Sequence, residues 1–148
     1  MALSTGINHI ALLTTDIDAF LAFYSEVFDA KIMSDQTEQG MRHASVELGA
    51  GAVLHAFHIQ GNAHARGRPE MFDRGHLDHF GVNVPDVDTL REVRQRLIDR
   101  GASDGTVTDF GILRSVSFRD PDGFAGEVGL WCDAPPRSYD ERTLSSTL

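Results

Sequence analysis

The 148-residue chain carries 22 acidic against 13 basic side chains, a formal net charge of -9, and a single cysteine, Cys132. Such a surface repels phosphate backbones and anionic lipids, which argues against nucleic acid or membrane partners. One cysteine permits neither an intrachain disulfide nor a thiolate-rich metal centre. With no secretory leader pattern and no run near the ~18 apolar residues of a membrane span, the expected setting is cytoplasmic.

Residues 7 to 13, "INHIALL", alternate as a strand does, and Thr15-Asp16 supplies the side-chain cap of a helix start. Ile17, Phe20, Leu21, Tyr24, Val27 and Phe28 then recur at the three-and-four spacing of an amphipathic helix. Three strand-like runs follow, Ala30 to Met33, His43 to Leu48 and Val53 to Ile59, the last two joined by the turn formers Gly49-Ala50-Gly51. Residues 61 to 75 lack periodicity and read as a linker with one short helical turn.

The order then repeats. Set under "INHIALLTTDIDAF" at an offset of 70, "LDHFGVNVPDVDTL" matches His9 with His79, Asp16 with Asp86 and Asp18 with Asp88. Agreement of that kind over fourteen positions is the mark of a duplicated unit. Val87, Leu90, Val93 and Leu97 predict the second helix, ending at Gly101; strands are expected near Thr106 to Thr108, Leu113 to Phe118 and Ala125 to Trp131, with a turn at Asp120-Pro121-Asp122-Gly123. The Pro-interrupted, polar residues from 133 on read as an arm or frayed end. The expected architecture is therefore α+β: a first βαβββ module over 5–60, a linker over 61–75, a second module over 76–132 and a tail over 133–148.

Glu127 lies in the last strand of the second module, and the corresponding strand of the first carries His55, 72 residues earlier. Because residues two apart share a sheet face, His9 lies with Ala11 and Leu13, and His79 with Gly81 and Asn83; the apolar alternates suit the helices. The histidines thus face a side where small residues leave room for a ligand. Three neutral imidazoles and one carboxylate, from His9, His55, His79 and Glu127, would form a sulfur-free site for one divalent first-row metal ion, with open positions for substrate oxygens. Nitrogen and oxygen ligation suits Fe, Mn, Ni, Co or Zn alike.

On "INHIALLTTDIDAFLAFYSEVF", "LDHFGVNVPDVD" and "RDPDGFAGEV" the chain resembles, over about residues 5 to 132, the vicinal oxygen chelate superfamily. That superfamily embraces glyoxalase I, methylmalonyl-CoA epimerase, extradiol dioxygenases, fosfomycin-resistance transferases and bleomycin-binding proteins. The resemblance implies paired βαβββ units whose mixed sheets curl, incompletely closed, around a metal with the helices outside. Its ligand positions, in the first and last strands of each unit, are those of His9, His55, His79 and Glu127. His55 departs from glyoxalase-like members, which commonly place Glu or Gln there. Relatives pair their modules within a chain or across a dimer, and a homodimer is expected here.

The function expected is that of a glyoxalase-like lyase or isomerase acting on a small oxygenated metabolite by metal-stabilised enolate or proton-transfer chemistry, with Glu127 and His55 as catalytic residues. One alternative is an Fe(II) extradiol-type dioxygenase built on His9, His79 and Glu127, whose supply of phenolic acids is thin because the only phenols are Tyr24, on the core helix, and Tyr139, in the tail; another is a metal-free binder of the bleomycin-resistance kind. Fosfomycin-type transfer ranks below these because no arginine lies on the four ligand-bearing strands. His43, His58, His64 and His76 are read as solvent or loop residues without a role, and the arginines of the second helix as a solvated face.

Overall fold

The computed structural model of the protein describes residue 4, residues 6–62 and residues 75–148. The linker expectation, and His64 with it, falls mostly on residues 63–74, outside the described residues. The elements in chain order are β1 (His9–Leu13), α1 (Ile17–Phe28), β2 (Lys31–Glu38), β3 (Met41–Gly49), β4 (Ala52–Ile59), β5 (Phe80–Asn83), α2 (Val87–Asp99), β6 (Val107–Asp109), β7 (Leu113–Arg119) and β8 (Ala125–Trp131), then a short 3-10 helix (Tyr139–Glu141) and β9 (Thr143–Ser145). The chain divides into two compact units, Met1–Gly67 and Arg68–Leu148. Each holds one βαβββ module, as the repeat predicts, and the protein is α+β with two mixed sheets.

In the first unit the sheet runs β1-β4-β3-β2, with β1 parallel to β4 and the other pairs antiparallel. Asp16 caps α1, its carboxylate accepting from the Ala19 amide at 3.0 Å. The apolar stripe of α1, Ile17, Phe20, Tyr24 and Val27, is buried, together with Ala44 and Val46 of β3 and Leu54 and Ala56 of β4. Arg42 fastens the helix start to the sheet through Asp18 at 2.7 Å and Asp35 at 2.8 Å.

β2 runs well past Met33 because Gln39 and Gly40, at φ 50° and 81°, close a second tight hairpin onto β3. Nearly all of this edge strand is exposed on both faces, so it carries no apolar alternation to read.

The second unit repeats the order as β5-β8-β7-β6 and adds β9 beyond β6. Asp86 caps α2, accepting from the Thr89 amide at 2.8 Å, and Leu90, Val93 and Leu97 are buried along with Val116, Phe118 and Val128. Gly126 is a packing requirement: a Cβ there would stand 2.3 Å from the Phe118 ring.

The tail, expected to be an arm or frayed end, contributes a strand. Thr143, Leu144 and Ser145 pair with Asp109, Thr108 and Val107, giving the β6 edge hydrogen-bond partners it would otherwise lack. Arg94 of α2 anchors this segment, donating to the Gly105 carbonyl at 2.6 Å and the Ser146 carbonyl at 2.7 Å, so it is no member of a merely solvated face. Among the described residues no helix is long and apolar enough to cross a membrane.

Candidate metal centre

Parallel pairing sets the positions of the candidate ligands. In the first unit Ala11 is the register partner of His55, and His9 that of Val53. Partners on adjacent strands point to the same face, so His9 and His55 share one face, opposite the α1 core. In the second unit Gly81 is the partner of Glu127 in the same way, and His79 immediately precedes β5. Gly81 and Asn83 are exposed while Phe80 and Val82 are buried, the alternation that places His79 on the Glu127 face. His58, on the other parity of β4, faces away from His55.

The imidazoles of His9 and His79 are held by equivalent bonds. His9 Nδ1 lies 2.6 Å from Asn8 Oδ1, and His79 Nδ1 lies 2.7 Å from Asp78 Oδ2. An amide or carboxylate oxygen only accepts, so Nδ1 carries the hydrogen in both rings, which in the neutral imidazole leaves the lone pair on Nε2. Holding one ring nitrogen this way orients the other for a metal.

In the second unit His79 Nε2 stands 3.9 Å from Glu127 Oε2. Two ligands of one ion at about 2.1 Å lie roughly 3 to 4 Å apart, so this pair fits a shared cation. The Ser117 hydroxyl, across from Glu127 on β7, donates to Oε1 at 3.5 Å.

The first unit is built differently around its second ligand position. His55 Nε2 lies 3.1 Å from His43 Nδ1, and the His55 ring packs on Phe57 with centroids 4.1 Å apart. Burial, then the neighbouring His43 and His9, lower the His55 pKa below the usual imidazole range, so its ring is neutral at pH 7. A shallow concavity of about 330 Å³ opens beside it, lined among others by His9, His55, Ser45, Val53 and Met33.

Each unit by itself thus supplies a pair of candidate donors; within neither do three or more His, Cys, Asp or Glu side chains gather as ligands among the described residues. Nitrogen and oxygen donors with bare imidazole Nε2 atoms are nonetheless the set a divalent first-row ion takes. His43, read from sequence as having no role, adjoins His55. The missed signal was the hairpin: the turn at Ala50 and Gly51 puts Ser45 across from His55 and His43 across from Phe57, on the ligand-bearing face. The repeat reaches this shell too, since Ser45 and Ser117 stand across from His55 and Glu127 respectively.

Tyr24 lies in the helix core, where the apolar stripe of α1 puts it, and offers no phenol to the ligand face. Its ring is fully buried in the α1 core, 4.7 Å from Phe20 and 5.1 Å from Phe23, on the face of the sheet away from His9 and His55. Tyr139 lies in the tail, its ring covered by the Arg142 guanidinium at 3.5 Å. Trp131 is largely exposed on the Glu127 face and donates to Asn83 Oδ1 at 3.1 Å, whereas Phe118 belongs to the core.

The family model described as Glyoxalase/Bleomycin resistance protein/Dioxygenase superfamily matches residues 6–128. A glyoxylase/bleomycin resistance protein/dioxygenase domain from Frankia sp. EAN1pec is 25% identical, with 89% of this chain and 95% of that one covered and a TM-score of 0.74. A lactoylglutathione lyase from Agrobacterium tumefaciens is 24% identical, with 87% and 96% covered and a TM-score of 0.59. The fosfomycin resistance protein FosX from Listeria monocytogenes, solved with Mn(II) and a dihydroxypropylphosphonic acid, is 18% identical, with 85% and 92% covered and a TM-score of 0.65. These last two likenesses show the fold. No curated protein matches the sequence.

Proposed function

This chain belongs to the Glyoxalase/Bleomycin resistance protein/Dioxygenase superfamily, and from that membership we propose that it is a metal-dependent lyase or isomerase of the glyoxalase kind. Its substrate is a small oxygenated metabolite with a carbonyl beside an acidic C–H. One divalent ion is held by His9, His55, His79 and Glu127, a pair from each unit. The observation that carries the reading is the duplicated geometry: Ala11 across from His55, Gly81 across from Glu127, and two histidines whose Nδ1 atoms are already engaged.

When bound, such an ion supplies Lewis acidity that polarises a carbonyl and stabilises charge developing on its oxygen. The chain's own residues do the rest. Glu127, steadied by Ser117, accepts the proton from the carbon next to the carbonyl and returns it at the neighbouring position. His55, neutral at pH 7, becomes a second proton acceptor only when it loosens from the ion. Ala11 and Gly81 leave the space the substrate occupies; a Cβ built at Gly81 meets nothing within 4 Å.

The lyase reading is preferred to dioxygenase chemistry because the burial of Tyr24 removes one of the two phenolic acids that chemistry would draw on. It is preferred to phosphonate chemistry because β1, β4, β5 and β8 carry no arginine or lysine to receive an anion. FosX binds a phosphonate, but that likeness concerns fold alone. The assembly proposed is a homodimer, checked by light scattering on the eluting protein.

The test is metal content of the protein purified without added metal, followed by NMR of solvent deuterium entering a panel of α-hydroxy ketones. Metal retention with exchange supports the reading. Exchange that survives alanine at both His9 and His79, or no exchange by the metal-loaded protein across the panel, ends it.

A further inference from the structure

Resting on this metal reading, we propose that His43 is the positioning residue of His55: it accepts the Nε2–H of His55 and so presents Nδ1, rather than Nε2, to the ion. The β3–β4 hairpin fixes the two side chains on one face, His43 diagonal to His55 across the strand pair. Their facing nitrogens are 3.1 Å apart, a hydrogen-bond distance that needs one donor and one acceptor.

Only one placement of the hydrogen is compatible with ligation. If His43 donated, His55 Nε2 would be occupied as an acceptor and Nδ1 of the neutral ring would carry the remaining hydrogen, leaving no bare nitrogen. With the hydrogen on His55 Nε2 instead, Nδ1 keeps its lone pair. His9 and His79 are the reverse case, held at Nδ1 and bare at Nε2. Phe57 keeps both partners in place, its ring centroid 4.1 Å from that of His55 and 5.8 Å from that of His43.

The device is confined to the first unit. At the His43-to-His55 spacing of 12, the residue before Glu127 is Ser115, whose buried hydroxyl has no partner among the described residues, and Glu127 is met by Ser117 instead. His43 is therefore where the duplicated halves differ in the support they give a ligand, and it accompanies the ligand position that holds histidine in the first half, His55, and an acid in the second, Glu127.

The experiment uses the full chain, wild type, H43F and H43N, titrated with Zn(II) against a chromophoric chelator. H43F keeps the ring but removes the acceptor, and its affinity is expected to fall about 10- to 100-fold, the usual cost of losing a bond that orients a ligand. H43N sets a carbonyl oxygen near the lost nitrogen and is expected to restore most of that affinity. Ring-nitrogen NMR of the metal-free wild type in mildly alkaline buffer is expected to show the Nε2–H tautomer at His55.

A folded H43F that binds as tightly as wild type, or an Nδ1–H tautomer at His55 in the wild type, overturns the proposal while leaving the metal reading standing. A wild type that takes no ion overturns both. Should H43F not fold, the wild-type tautomer and the H43N titration decide.

Discussion

Glu127 stands directly across from Gly81 in the parallel pair of the second sheet, the place His55 holds across from Ala11 in the first. A small residue on the first strand and a donor on the fourth, on the face away from the helix, is the repeating unit of this site. The predictions below act on particular members of it.

Glu127→Gln keeps the shape of the side chain and removes its charge and basicity. Deuterium incorporation is expected to fall about 10²- to 10⁴-fold, the range for losing a general base. The thermal midpoint should barely move, because the side chain is partly exposed. Substrate-dependent exchange measured beside a melting curve separates the two effects.

Gly81→Phe fills the open space above the ligand face without touching the core. The variant is expected to fold with a midpoint within a few degrees of wild type and to lose on the order of tenfold or more in kcat/KM. Unchanged kinetics would mean that the substrate does not occupy that space.

Gly126→Ala places a methyl carbon against the Phe118 ring and is expected to destabilise the second unit by about 1–3 kcal/mol. Phe118→Leu in the same chain should recover part of that loss, since the two residues share one space. Denaturant melts of the four members of the cycle measure the coupling.

Arg42 holds the Asp18 and Asp35 carboxyls below their ordinary pKa, chiefly by hydrogen bonding to each. A carboxylate whose folded pKa is depressed lends stability above its unfolded pKa and loses it as pH falls through the folded value. Arg42→Gln is therefore expected to be less stable than wild type at neutral pH, with the gap closing in acid below the carboxylate range. Both aspartates are well hydrated, so the effect should be modest and weaken with salt. Midpoints recorded across that pH range, at low and high salt, check it.

Much of this was legible in the chain because a duplication writes each signal twice. His9 and His79 gain meaning from their shared offset of 70, and the paired Asp16 and Asp86 caps fix where each helix begins. The elements that escaped carry no apolar pattern. The outer half of β2 is polar because both its faces are exposed, and β9 is three exposed residues held by backbone pairing and by Arg94. His43 escaped for another reason: its closeness to His55 depends on hairpin register, which turn geometry sets, and its counterpart in the second half is a serine.

The most direct test of the central claim is a titration of divalent metal into wild type, a variant of the first unit, His9→Ala, and a variant of the second, Glu127→Gln. One ion per chain, with affinity lowered by each variant, is the result expected if both units hold the same cation. Two independent ions, or one whose affinity responds to changes in a single unit only, would contradict it.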